Sequence, residues 1–146
     1  MRFMDLRTSA LCLWCLLTVS CRDVRELYTL GAALKHEYPH YQASVSVTDG
    51  LFLTVTVADP ALAVASCESQ AAAAMRIASF VRGNYGGFDS LQTVSIAFVS
   101  RRSQDRTTAS AAGLPLRFAR TLLSAGLTPA DSTRAVESCK AWRELQ

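Results

Sequence analysis

The chain has 146 residues, of which 50% are hydrophobic and 18% are charged, and its formal net charge at pH 7 is +3. This balance is typical of a folded globular domain, whereas a disordered chain has fewer apolar residues and a higher net charge. The charge is also too small to indicate nucleic acid as a partner, so we expect none.

The N-terminal segment has the three parts of an export signal. Arg2 and Arg7 give it a positive start, and an uncharged, mostly apolar stretch runs from Thr8 to Ser20. This stretch is shorter than the about 20 apolar residues that a membrane-spanning helix needs. We therefore predict that residues 1–20 are a signal peptide, which is removed on export.

The end of this segment, Leu17-Thr18-Val19-Ser20-Cys21, resembles the bacterial lipobox, in which the cysteine receives diacylglycerol and becomes the mature N-terminus. The resemblance implies an extracytoplasmic lipoprotein that a lipid on Cys21 holds on the membrane. Arg22 after the cysteine, rather than Asp, implies the outer membrane where the host has one. Thr18 departs from the motif, which prefers Leu or another aliphatic residue there. An ordinary signal cleaved after Ser20 stays the alternative.

The first predicted helix runs from Asp23 to about Lys35. Apolar residues recur along it at spacings of three and four, the pattern of one buried helix face: Val24, Leu27, Leu30, Ala33 and Leu34. We expect the helix to end before Pro39, because the residue that precedes a proline avoids helical geometry.

A β-hairpin is predicted next, with apolar residues alternating on both sides of Asp49-Gly50. A two-residue turn at these positions would place the two apolar rows on opposite faces, because a slip of one residue inverts every side chain. A three-residue loop over Thr48-Asp49-Gly50 keeps both rows on one face and pairs Val47 with Leu51. We predict this longer loop, with Gly50 in the left-handed conformation.

A second long helix is predicted from Asp59 to about Arg82. Asp59 can cap the first turn, Pro60 suits the first helical position, and Gly83 is expected to end the helix. A Gly-rich turn follows over residues 84–90.

Two further strands and a last helix complete the pattern. Alternating apolar residues predict the strands: Val94, Ile96 and Phe98 in the third, and Leu114, Leu116 and Phe118 in the fourth. Pro115 favours an edge position for the fourth strand. The run Thr128-Pro129-Ala130-Asp131 predicts the start of a C-terminal helix, because it supplies a cap, a proline and an acidic third residue.

The predicted order α-β-β-α-β-β-α indicates an α+β fold. We expect a mostly antiparallel four-stranded sheet with helices packed on one face. Neither a repeat nor a linker divides the sequence, so residues 21–146 are predicted to form a single domain, of a size that can bury a core.

The five cysteines fall into three groups. Cys12 and Cys15 lie in the discarded signal, and Cys21 is the predicted lipid acceptor. Cys67 and Cys139 remain as an even pair in an oxidising compartment, which indicates a disulfide. Two separate buried thiols are the alternative.

The run His36-Glu37-Tyr38-Pro39-His40 fits the letters H-E-x-x-H. In zinc peptidases that spacing places two histidines one helical turn apart on a metal, with the glutamate as general base. Here Pro39 should break the helix that creates this convergence, and the chain contains no other histidine. We therefore predict no metal site, no cofactor and no catalysis. A metal-dependent hydrolase using His36, Glu37 and His40 is kept as the alternative function.

A cluster of basic residues, Arg101, Arg102 and Arg106, lies in a polar segment after the third strand, and Arg117 and Arg120 follow it. Such a cluster can bind lipid headgroups, an anionic polymer or an acidic partner. A solvated loop is the favoured interpretation, and the first three arginines are the possible binding residues to test.

These features together predict a membrane-tethered, non-catalytic accessory or binding domain of the cell envelope. Its expected partners are the membrane, through the lipid, and an envelope protein or anionic polymer bound by one face of the sheet. A small-ligand carrier with a pocket between sheet and helix is a weaker alternative.

Overall fold

The computed structural model describes residues 24–100 and 115–145. Its first helix, α1, covers residues 24–37. The elements that follow are β1 (Gln42–Thr48), β2 (Phe52–Ala58), α2 (Pro60–Ala63), α3 (Cys67–Asn84), a 3-10 turn (Phe88–Ser90), β3 (Thr93–Val99), β4 (Leu116–Ala119), α4 (Arg120–Ala125) and α5 (Pro129–Arg143). The predicted order is present, and the short helices α2 and α4 are additional.

The four strands form one mixed sheet in the order β1-β2-β3-β4. β1 pairs with β2 and β3 pairs with β4 in antiparallel fashion, whereas β2 and β3 run parallel. Parallel neighbours need a crossover connection, which α2 and α3 provide here. The predicted α+β fold with a mostly antiparallel sheet is confirmed.

The hydrophobic core lies between the helices and one face of the sheet. Paired, buried residues of the two central strands line this face: Leu53 with Val94, Val55 with Ile96 and Val57 with Phe98. The helices α1, α3, α4 and α5 add buried residues to the same cluster, among them Leu30, Leu34, Ile77, Leu123 and Ala135. The helices therefore pack on one face, as predicted.

The hairpin has a three-residue connection, but its register differs from the predicted one. Thr48 pairs with Phe52, so that Val47 lies opposite Leu53 rather than Leu51. The two apolar rows still share one face, because the shift is two residues and therefore preserves the alternation. The predicted pairing of Val47 with Leu51 is wrong, and the predicted common face is confirmed.

The turn geometry explains the shift. Asp49 and Gly50 both have positive φ, 55° and 69°, so the predicted left-handed Gly50 is confirmed. The N–H of Leu51 donates to the carbonyl of Thr48, which closes a tight turn and leaves Leu51 as an extra residue before β2. The Leu51 carbonyl accepts from the N–H of Gln92 just before β3, so a contact with a distant strand holds this residue out of the hairpin pairing.

The predicted helix from Asp59 to Arg82 is two helices. Asp59 caps α2 with Pro60 in its first turn, as predicted. α2 ends at Ala63, and Ser66 caps α3 by accepting the N–H of Ser69. The prediction of one continuous helix is wrong because Ser66 provides a second N-terminal cap inside the apolar pattern.

Most ends of the remaining helices and strands lie close to the positions predicted from the sequence. α3 passes Gly83 and ends at Asn84, two residues beyond the predicted end at about Arg82, so the expected stop at the glycine is wrong. β4 is an edge strand, as Pro115 predicted, but it ends at Ala119, and Arg120 begins α4. α5 starts with the expected reciprocal cap between Thr128 and Asp131.

Candidate functional site

The H-E-x-x-H run does not bring its histidines together in a helix. α1 ends at residue 37, and Pro39 and His40 lie in the turn that follows, as the proline predicted. His36, Glu37 and His40 are all exposed. Within residues 24–100 and 115–145, no group of three His, Cys, Asp or Glu side chains is placed to hold a metal ion. In the described chain this run forms the polar end of α1.

Cys67 and Cys139 join α3 to α5. Their Sγ atoms are 2.08 Å apart and their Cα atoms 5.6 Å apart, as the predicted disulfide requires. Both residues are buried in the core cluster. A buried cystine of this kind stabilises the fold and does not offer an accessible thiol for chemistry.

Gln70 is a buried polar residue beside this disulfide that the sequence analysis did not identify. Its side-chain Nε2 donates to the carbonyls of Leu62, at 2.8 Å, and Ala63, at 3.2 Å. Its Oε1 lies 3.4 Å from the Sγ of Cys139. The amide thus donates to two carbonyls at the end of α2, and the Leu62 carbonyl also accepts the N–H of Ala65 at 3.2 Å. Gln70 has a structural role, because it holds the corner between α2 and α3.

The second face of the sheet lies opposite the core, and none of the described helices packs on it. We call it the uncovered face, and small or polar side chains from all four strands form most of it: Ser44, Ser46, Thr54, Thr56, Ser95, Ala97 and Arg117, with Phe52 near the hairpin end. Ser44, Ser46, Phe52 and Arg117 are exposed and Thr54 and Thr56 are half-buried, whereas Ser95 and Ala97 in the centre are buried. These residues are the polar half of the alternation that predicted the strands.

One paired row crosses the uncovered face from edge to edge. In the strand register Ser46 lies beside Thr54, Thr54 beside Ser95, and Ser95 beside Arg117. Hydroxyl groups both donate and accept hydrogen bonds, and the guanidinium group donates in a planar fork that matches carboxylate and phosphate. Ser46, Thr54 and Arg117 can therefore contact an extended polar chain, with an anionic group at Arg117, whereas Ser95 between them is buried.

A groove lies at the opposite side of β4, between that strand and α5. It is lined by Leu116 and Phe118 from β4 and by Arg134, Ala135 and Ser138 from α5, and its volume is about 230 Å³. This is below the about 300–1,000 Å³ of typical small-ligand sites. A second groove, between α1 and β1, has a volume of about 610 Å³ and lies within that range.

Two sets of predicted site residues lie outside the described residues. Cys21, the predicted lipid acceptor, precedes residue 24, and Arg101, Arg102 and Arg106 lie between residues 100 and 115. Their roles stay predictions. Of the neighbouring arginines, Arg117 is exposed on the uncovered face and Arg120 is half-buried at the start of α4.

None of the helices in the described parts of the chain is long and apolar enough to span a membrane. Comparison with known proteins found no matching family model, no matching curated protein and no matching solved structure.

Proposed function

We propose that this chain is a non-catalytic binding domain of the cell envelope, tethered by a lipid on Cys21, with the uncovered face as its binding surface. The observation that carries the proposal is the one-sided packing of the helices. A four-stranded sheet with a polar second face offers a broad, flat surface to a partner without unfolding any part of the core.

The tether is supported by the lipobox resemblance and by the position of α1. Helical structure is described from residue 24 onward, three positions after Cys21. Three residues span at most about 10 Å, so a lipid on Cys21 would hold the domain close to the bilayer surface. The partner would accordingly be a component found at that surface.

The chemistry of the uncovered face favours a polar or anionic partner. Hydroxyl groups dominate it, and Arg117 is its exposed cation. An envelope protein or an anionic envelope polymer fits this surface, because both present extended arrays of hydrogen-bonding groups. Arg101, Arg102 and Arg106 precede β4 in sequence and would add positive charge to the same interaction.

The tether is tested by replacing its acceptor. In the full chain expressed in a bacterial host, Cys21→Ser should abolish labelling by a radioactive fatty acid and partitioning into detergent. A variant that stays in the membrane fraction without label would show that an uncleaved segment anchors the chain instead.

The binding surface is tested by charge reversal in the tethered protein. Arg117→Glu should weaken co-purification of the envelope partner from detergent-solubilised membranes. Arg82→Glu makes the same change at an exposed position on α3 and should leave co-purification unchanged. Equal losses in both variants, or none in either, would count against the uncovered face. Replacing Arg101, Arg102 and Arg106 together by Glu shows whether that segment contributes to co-purification of the partner.

A further inference from the structure

Helix α1 carries exposed apolar side chains close to the predicted lipid attachment. Val24 and Tyr28 are 67% and 80% exposed. They are four residues apart, so they lie on one side of the helix and about 6 Å apart along its axis. Val24 is the third residue after Cys21, and three residues span at most about 10 Å. Both side chains therefore lie within reach of a membrane on which a lipid at Cys21 would hold the chain.

Lys35 continues this side of α1 about two turns further along. It follows Tyr28 by seven residues and is exposed. The two acidic residues of α1 are Glu26 and Glu37, and 3.6 residues per turn place each of them about half a turn away from Tyr28. The side that carries Val24, Tyr28 and Lys35, which we call the outer side of α1, thus combines apolar groups with a positive charge.

A groove lies between the outer side of α1 and strand β1. Tyr28 and Lys35 border it on the helix, Pro39, Tyr41 and Ala43 border it on the other side, and its volume is about 610 Å³. Lys35 is the charged residue among the described residues that line it, so the groove presents a cation beside aromatic and apolar surface. Lysine binds phosphate as a point charge. A phospholipid headgroup, which joins a phosphate to an apolar body, has the complementary chemistry.

The core and an aromatic cluster hold the outer side of α1 in place. Leu30 and Leu34 of α1 are fully buried in the core. Tyr38, directly after α1, stacks on Tyr41 with ring centroids 5.4 Å apart and meets Phe80 of α3 edge-on at 5.8 Å. These contacts fix α1 against β1 and α3, so a lipid would meet a preformed surface.

We propose that the outer side of α1 lies on the bilayer, with Val24 and Tyr28 among the lipid headgroups and Lys35 on a phospholipid phosphate in the groove. The inference rests on the proposed lipid at Cys21. Tyrosine is enriched at membrane surfaces, because its ring is apolar and its hydroxyl is polar. Lysine lays its apolar stem along such a surface and keeps its charged end among polar groups.

The position of the outer side selects the bilayer as its partner. The proposed anchor directly precedes α1, so this side of the helix would start beside the membrane whatever else the domain binds. The contact uses the helical side of the sheet and leaves the uncovered face free for the envelope partner. The membrane and the envelope partner would therefore bind the same domain at once.

Photocross-linking in proteoliposomes tests this orientation. The full chain is expressed in a bacterial host, purified and reconstituted with phosphatidylethanolamine and phosphatidylglycerol that carry radioactive phosphorus. A diacylglycerol anchor contains no phosphorus, so it adds no label of its own. Photoreactive benzoylphenylalanine in place of Tyr28 should give a radioactive protein after irradiation. Because Tyr28 is exposed, its replacement leaves the core intact.

Thr29 and Arg82 are the control positions for the photoreactive residue. Thr29 is exposed at nearly the same distance from Cys21, but it lies about a quarter of a turn away from Tyr28 on α1. Arg82 is exposed on α3. The residue at Tyr28 should give several times more labelled product than at either control. Equal yields at Tyr28 and Thr29 would overturn the inference, and so would a Tyr28 product with the added mass of a protein.

Charge reversal tests the phosphate contact. With the photoreactive residue at Tyr28, Lys35→Glu should lower the yield of labelled product by about fivefold, because it replaces a cation beside an anionic surface with a like charge. Arg82→Glu is the matched control and should leave the yield unchanged. An unchanged yield in Lys35→Glu, or equal losses in both variants, would overturn the inference.

The mass of the purified chain separates this inference from the proposed tether. A lipid found on Cys21 together with no labelled product from Tyr28 would overturn the inference and leave the tether in place. A chain that carries no lipid on Cys21 would overturn the tether, and this inference with it.

Discussion

The carboxylate of Glu68 lies 2.8 Å from the Nζ of Lys140, and each of these residues follows one half of the Cys67–Cys139 disulfide. One turn of α3 is thereby joined to one turn of α5 both by a covalent bond and by an ion pair. Arg143 adds a hydrogen bond from α5 to the carbonyl of Ala65, before α3 begins. The C-terminal helix is therefore attached at the start of α3, far from it in sequence.

The disulfide is expected to supply a large part of the stability of the domain. Cys67→Ala with Cys139→Ala removes a cross-link over a sequence separation of 72 residues. In the chain-entropy model, this should lower the free energy of unfolding by roughly 4 kcal/mol. Urea unfolding measures the loss, and the reducing agent that destabilises the parental protein should have no effect on the double variant. Equal sensitivity to reductant in both proteins would contradict the assignment.

The ion pair predicts a pH dependence of stability. The hydrogen bond from Lys140 and a bond to the backbone of Glu68 itself lower the pKa of Glu68 to about 2. Since the folded carboxyl binds its proton less readily than the unfolded one, the pair contributes its full stability above the usual glutamate pKa of 4.5 and loses it as the pH falls toward 2. Both side chains are more than half exposed, so the contribution is small.

Glu68→Gln tests this dependence. We expect the melting temperature to fall slightly at pH 7, and the difference from the parental protein to disappear near pH 2. Glu137→Gln removes a carboxylate from an exposed position on α5 and provides the control. A difference that persists unchanged at low pH would show that the effect does not come from the ionised carboxylate.

Gln70 is predicted to be important for stability although it has no role in chemistry. Gln70→Met keeps a side chain of similar volume but removes the amide that donates to the carbonyls of Leu62 and Ala63, although the Leu62 carbonyl keeps the N–H of Ala65 as a donor. An unsatisfied buried polar group costs about 1–3 kcal/mol, and we expect a loss of that size in urea unfolding. Gln92→Met at an exposed position should change stability by much less.

The histidine run is predicted to have no catalytic function. Addition of zinc to the purified protein should produce no peptidase or esterase activity, and His36→Ala and His40→Ala should leave binding to the proposed envelope partner unchanged. The physical reason is that the helix ends before Pro39, so the two imidazoles are not held one turn apart on a helical face. Metal-dependent turnover that is lost in His40→Ala would establish the alternative function.

The features that the sequence determined by itself are those with local causes. The starts of α2 and α5 could be predicted because Asp59 with Pro60, and Thr128 with Asp131, satisfy the first turn of their own helices. The alternation of apolar residues predicted the strands and the face that each buries, since a strand turns successive side chains to opposite sides. The pairing of Cys67 with Cys139 could be predicted because these cysteines remain once the predicted signal peptide and the predicted lipid acceptor Cys21 are set aside.

The tertiary structure alone decided the features that depend on distant residues. The hairpin register differs by two residues from the predicted one, and the Leu51 carbonyl that stays outside the hairpin pairing accepts the N–H of Gln92 beside β3. The side-chain amide of Gln70 donates to the carbonyls of Leu62 and Ala63 at the end of α2, and no pattern in the sequence predicts these contacts. Among the described residues, the strand order placed β1 and β4 at the two edges of the sheet and left its polar face without a helix packed on it. Each of these features depends on which strands and helices become neighbours. The residues of one segment do not decide this, because the neighbours are set when the whole core is buried.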